Sequence, residues 1–152
     1  MAVEVRPARD ADGDALKRMA RRLGVAERVE IRAVPAHDQR AMAAELSKVA
    51  LVVLLSEHET LPIAVLEALA VRRPVLVTYT RGLDELADRG LVSAIPQASG
   101  PRDIAAAVLK QFRDPFVPAH VDLPTWDDCA ARHHELYTSI IEEASGRITS
   151  ER

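Results

Sequence analysis

Short β-type runs and amphipathic helical stretches take turns along this sequence, and that alternation constrains the fold more than any other feature. Val3–Val5 reads as a short strand ended by Pro7. "DADGDALKRMARRLG" then places Leu16, Met19, Ala20 and Leu23 on one helical face, with Gly24 as a left-handed stop. "RVEIRAV", residues 28–34, is a second strand, closed by Pro35. Residues 38–49 form a helix with Asp38 as N-cap and Met42, Leu46 and Val49 on one side. "LVVLL", residues 51–55, is apolar on both faces, as a central parallel strand should be. A helix over 62–71, a strand over 74–79, a short helix around 83–87 and a strand over 91–95 follow. Another helix starts at Pro101, where a missing N–H costs nothing. A strand recurring about every 20 residues with a helix between implies right-handed crossovers. The expected class is α/β, a Rossmann-like parallel sheet with helices on both faces.

The last helix opens at "TWDD", where Thr125 caps and Asp128 supplies the capping-box carboxylate. Its apolar stripe comprises Trp126, Cys129, Ala130, His133, Tyr137, Ile140 and Ile141. "SGRITSER" reads as a frayed tail, so residues 1–144 are expected to form one domain and 145–152 a flexible end. The low aromatic share of 3% within 48% hydrophobic residues leaves Ala, Val, Leu and Ile to build the core, which suits covered parallel strands.

Charge narrows the partners. Twenty basic and 23 acidic residues are interleaved for a net charge of −3, with no basic stripe to follow a phosphate backbone, so nucleic acid is not expected. No run reaches the roughly 18 apolar residues of a membrane span, and the N-terminus has no signal-peptide core. The single cysteine, Cys129, has no internal disulfide partner, which fits a reducing, cytoplasmic compartment. The histidines are isolated or, at His133 and His134, adjacent on a helix and pointing apart, so no metal site is expected.

In open α/β sheets, ligands bind beyond the carboxyl ends of the strands. The loop after the most apolar strand is "SEHET", directly before a helix N-terminus. Such a terminus carries unpaired N–H groups and about half a positive charge, and so suits a phosphate. Thr60 or Leu61 would cap it, Pro62 would be the first helical residue, and the amides of Leu61, Ile63 and Ala64 are candidate donors. Glu67 lies five residues further, about 7.5 Å along the helix axis. A sugar diol offers two O–H donors to one carboxylate, and Glu59 in the loop would face the same crevice nearer its mouth. Taken on spacing alone, two glutamates eight apart are more often a solvated loop residue and an ordinary helix residue.

The stretch "SEHETLPIAVLEALAVRRPVLV" resembles the signature of retaining glycosyltransferases of the GT-B fold, the large family four group. Ser56, Glu59, Glu67, Ala68, Ala70, Pro74 and Val75 fall in register with it. "LGVAERVEI", "TRGLDEL" with Gly82 and Glu85, and "TWDDCAARHHELY" are similar to three further blocks of that family, in order. The resemblance implies that Glu67 binds the ribose hydroxyls of a nucleotide-sugar donor, with Ser56 beside it in the motif. It implies that Glu59 lies against the transferred sugar as the catalytic residue, and that the amides of Thr60, Leu61 and Ile63 hold the diphosphate. Ala33 and Val34 would border the base. Transfer would retain anomeric configuration without a bound metal or other cofactor.

Three features depart from the pattern. By the resemblance, the chain is expected to be only the C-terminal, donor-binding half without its first strand and helix, with an N-terminal acceptor-binding domain as the expected missing partner. "RPARDAD" replaces a glycine-rich turn, leaving Arg6 and Arg9 as phosphate partners. Arg72 stands where a glycine usually ends the helix. The chain alone is therefore expected to show no turnover. The alternative is a catalytically dead, free-standing α/β module that binds a protein or self-associates through the sheet edge at Val3–Val5.

Overall fold

The computed structural model describes residues 3–5, 10–31, 38–123 and 125–150, with side chains for 13–31, 38–123 and 125–143. Strand β1 (Val3–Val5) leads into α1 (Asp10–Arg22), which Gly24 ends at φ +67°; a 3-10 turn (Ala26–Arg28) follows, then β2 (Val29–Ile31). Next come α2 (Gln39–Lys48), β3 (Val52–Leu54), α3 (Ile63–Ala70) and β4 (Val75–Tyr79). The chain continues through α4 (Asp84–Asp88), β5 (Ser93–Pro96), α5 (Pro101–Arg113) and α6 (Trp126–Ser150). The alternation is as the sequence implies, and every described strand pairing is parallel.

The pairings form two ladders. β1 pairs with β2, and β3, β4 and β5 form a three-stranded sheet in that order. α3 packs on β3 and β4, and α5 packs on β4, so the three-stranded sheet is flanked by helices. Leu46 of α2, Val65, Ala68 and Leu69 of α3, Val75 and Val77 of β4, and Leu83, Leu86, Leu91 and Val92 form one buried cluster. Each large side chain buried there contributes roughly 1.5–3 kcal/mol. "IAVLEALA" has the composition for this role, because its apolar positions leave one face free of charge.

The central strand differs from the sequence reading. β4, not β3, is the covered strand: Val75, Leu76 and Val77 are buried, whereas Val53 and Leu55 are 40% and 39% exposed. The reason is pairing. The Val52 N–H donates to the Pro74 carbonyl at 3.0 Å, and alternate residues of a strand face the same neighbour. The N–H and C=O of Val53 therefore face away from β4, and among the described residues no strand takes them.

The caps form as their residues dictate. Asp38 Oδ1 accepts from the Ala41 amide at 2.9 Å. At α6, the Asp128 carboxylate accepts from both the amide (2.8 Å) and the hydroxyl (2.7 Å) of Thr125, whose hydroxyl accepts from the Asp128 amide. The hydrogen bonds from the Thr125 hydroxyl and amide, more than the nearby Arg132 charge, pull the Asp128 pKa below its ordinary value against a small opposing effect of desolvation. A carboxylate with a depressed folded pKa stabilises fully above its unfolded pKa, and the contribution is lost as pH falls through the folded value. Acidification through the carboxylate range should thus fray the first turn of α6. NMR amide shifts of Thr125 and Asp128 should move together there, and Asp128→Asn should abolish that titration.

α3 ends at Ala70 with Val71 as its C-cap, and Arg72 follows at φ +55°, the left-handed region. Its amide still bonds to the Leu69 carbonyl at 2.9 Å. A side chain in this region costs roughly 1–2 kcal/mol, partly offset by the larger unfolded-state entropy of glycine. Arg72→Gly should therefore raise stability by about 0.5–1 kcal/mol in urea unfolding.

Candidate functional site

The parallel sheet brings the carboxyl ends of β3, β4 and β5 to one edge, and the loops leaving them meet there. The β3–α3 loop, 55–62, is held by its neighbours. Thr78 Oγ1 donates to the Ser56 carbonyl at 2.5 Å, and Thr80 Oγ1 donates to the Glu57 carbonyl at 2.5 Å. Gln97 Nε2, just past β5, donates to that same Glu57 carbonyl at 3.1 Å. The Glu59 amide donates to the Arg81 carbonyl at 3.2 Å. Gly82, at φ +89°, lies so close that a Cβ there would stand 1.9 Å from the Glu59 carbonyl oxygen.

Ser56 and Glu59, expected in the site, are joined directly: Ser56 Oγ donates to Glu59 Oε1 at 2.5 Å, and both are half-buried. Serine at this spacing bends back on the carboxylate three residues later and fixes its rotamer. Thr60 and Leu61 are exposed at the end of the loop.

The start of α3 differs from expectation by one residue. Pro62 is the N-cap, at φ −79° and ψ 68°, and the first helical residue is Ile63. These angles make an inverse γ-turn, in which the Ile63 amide donates to the Leu61 carbonyl at 2.9 Å. The Ile63 N–H, one of the expected phosphate donors, is thus engaged. The amides of Thr60, Leu61 and Ala64 have no hydrogen-bond acceptor among the described residues.

Glu67 sits on the half-exposed side of α3. Val65, Ala68 and Leu69 turn into the core, while Ile63, Ala64 and Ala70 are exposed. Residues three and four apart share a helix face, so Glu67 rises on the same face as Ile63 and Ala64 at the helix start. Glu67 is half-buried as a residue, and its carboxylate has no hydrogen-bond or ion-pair partner among the described residues. This is the site's most distinctive chemical feature, because an unpartnered carboxylate is open to an incoming donor. Ala33 and Val34, expected to border a base, lie outside the described residues, as do Arg6 and Arg9.

Glu85, matched by motif, is exposed on α4 and pairs with Arg89 at 3.6 Å. Nearby, the Tyr79 hydroxyl donates to Asp88 Oδ1 at 3.0 Å. That hydrogen bond, reinforced by the Asp88 charge, pushes the phenol's pKa up. The sequence reading missed Thr78, Thr80 and Gln97. A signal was available in "VLVTYT", where hydroxyls replace aliphatics on alternate positions at the end of a buried strand.

α6 carries its apolar stripe in the open. Every residue from 126 to 143 is exposed, with Trp126 at 85%, Tyr137 at 60% and Ile141 at 65%. Among the described residues, no helix is long and apolar enough to cross a membrane.

The family model of glycosyl transferases group 1 matches residues 6–114. A D-inositol 3-phosphate glycosyltransferase of Streptomyces avermitilis is 28% identical over 149 residues, covering 92% of this chain and 32% of the relative. Its counterpart in Streptomyces scabiei is 30% identical over 142 residues, covering 88% and 31% respectively. The chain thus spans about a third of the length of the curated relatives it matches. No solved structure matches it.

Proposed function

The chain belongs to the group 1 glycosyl transferases, and from that premise we propose that it is the donor-binding part of a retaining enzyme that takes sugar from a nucleotide diphosphate. The observation that carries the proposal is the unpartnered carboxylate of the half-buried Glu67, on the same helix face as a helix start with free amides. Glu67 accepts two hydroxyls of the donor's ribose. The amides of Thr60, Leu61 and Ala64 receive the diphosphate, while Ile63 contributes its exposed side chain rather than its N–H. Glu59, its rotamer held by Ser56, lies against the transferred sugar as the catalytic residue.

The acceptor is held by a further domain, supplied by polypeptide beyond this chain. Three observations support that part. The matched relatives are about three times longer, the β3 edge has no described neighbour, and α6 presents an apolar stripe to solvent. Large exposed apolar patches mark interaction surfaces. The same open edge and stripe favour the second reading, a binding-only module. A cytoplasmic setting suits the lone exposed thiol of Cys129.

Isothermal titration with UDP, GDP and ADP and their sugars tests the proposal. Saturable binding of one nucleotide series supports it, and no heat with any of them favours the binding-only module. Incubation of the chain alone with donors and acceptors should yield no product.

A further inference from the structure

We infer that Thr80, assisted by Thr78, is a positioning residue: its hydroxyl fixes the backbone of the 56–59 loop so that Glu59 and the α3 amides are preset for ligand. The inference rests on the donor-site reading and adds to it residues that neither touch the donor nor belong to the motif.

The geometry points to Thr80 because of what its hydroxyl meets. Thr78 and Thr80 are 6% and 7% exposed, and each donates to a loop carbonyl rather than to its own helix or strand. The two carbonyls belong to Ser56 and Glu57, successive residues immediately before the loop tip. A carbonyl has two lone pairs, and at Glu57 Thr80 and Gln97 use one each. One peptide oxygen of the β3 loop is thereby tied to the ends of both β4 and β5.

These bonds act on backbone only. The side chains of Glu57 and His58 are exposed and take no part. The loop path is therefore set from outside, by β4 and β5, while its own side chains stay free to face a ligand. Without the Thr80 hydroxyl, Glu57 keeps only the longer bond from Gln97, whose exposed side chain gives it little rigidity. The loop then samples other paths, and ligand binding must first select the correct one.

Thr80→Val keeps the shape and removes the donor, and Thr80→Ser restores the donor with less bulk. Hydrogen exchange of the Glu59 amide, the loop amide that is hydrogen-bonded (to the Arg81 carbonyl), and titration with UDP, GDP and ADP are read on wild type and both variants, alongside the thermal midpoint. The expected result is faster loop exchange by about tenfold in Thr80→Val, with nucleoside diphosphate affinity lower by a similar factor and both returned by Thr80→Ser. Unchanged loop exchange in Thr80→Val overturns the inference. So does a fall in thermal midpoint that Thr80→Ser repairs while exchange and affinity stay impaired. A wild type that binds none of the three nucleotides overturns the donor reading and the ligand half of this inference, and the exchange data still decide whether the clamp exists.

Discussion

Gly82→Ala is expected to destabilise the chain by roughly 2–5 kcal/mol, a larger effect than any other single surface change. Two costs combine. Gly82 sits at φ +89°, a left-handed conformation that charges a side chain about 1–2 kcal/mol. Its new Cβ would also meet the Glu59 carbonyl oxygen at 1.9 Å, a contact with backbone that no rotamer change relieves. Forcing atoms into such a contact adds about 1–3 kcal/mol and shifts the neighbouring chain. The neighbouring chain here is the loop that carries Glu59, so the variant should also lose nucleotide binding. Gly24 and Gly90 provide the control: both have φ +67°, and a Cβ at either meets nothing within 4 Å. Alanine there should show only the conformational cost. Urea midpoints for the three variants separate collision from conformation, and equal losses at all three would contradict a tight Gly82–Glu59 approach.

Glu67→Ala is expected to act in the opposite way, removing binding and sparing the fold. A charged hydrogen bond contributes about 1.5–3 kcal/mol, so losing two to a ribose diol should weaken donor affinity by roughly a hundredfold or more. Stability should hardly change, because the carboxylate has no partner to lose among the described residues and alanine is the better helix former. Glu67→Gln should fall between, since a neutral amide oxygen still accepts one hydroxyl. Calorimetric affinities with parallel urea unfolding give both quantities. A Glu67→Ala variant that binds as tightly as wild type would remove this residue from the site.

Much of the fold was legible because local chemistry decided it. β4 and β5 announced themselves as apolar runs bounded by Pro74, Gly90 and Pro96, and "TWDD" and Asp38 formed their caps from hydrogen bonds between residues three apart. The position of β3 was not legible. "LVVLL" records that both faces suit burial, but whether β3 has a second neighbour depends on other strands, and none pairs with it on that side among the described residues. α6 teaches the same lesson: its stripe was readable, whereas its covering is not encoded in its own residues.

At the candidate site, the loop and the two glutamates could be placed from the sequence, whereas the local use of the Ile63 amide could not. Pro62 closes a tight turn that uses the Ile63 amide locally, and only the backbone angles reveal this. The supporting hydroxyls of Thr78 and Thr80 lie 22 and 23 residues from the carbonyls they hold, so "VLVTYT" signals buried hydroxyls but not their partners. Arg72, just past α3, also takes a left-handed conformation where glycine would be easier, so its backbone does not follow from residue preference.

Amide-resolved NMR titration of the wild-type chain with a nucleotide sugar tests donor binding at this corner most directly. Binding there predicts saturating shifts concentrated on Thr60, Leu61, Ala64 and Glu67, with smaller movements at Gly82 and none along α6. Shifts that saturate elsewhere, or no shift at saturating concentrations of UDP, GDP and ADP sugars, would contradict it.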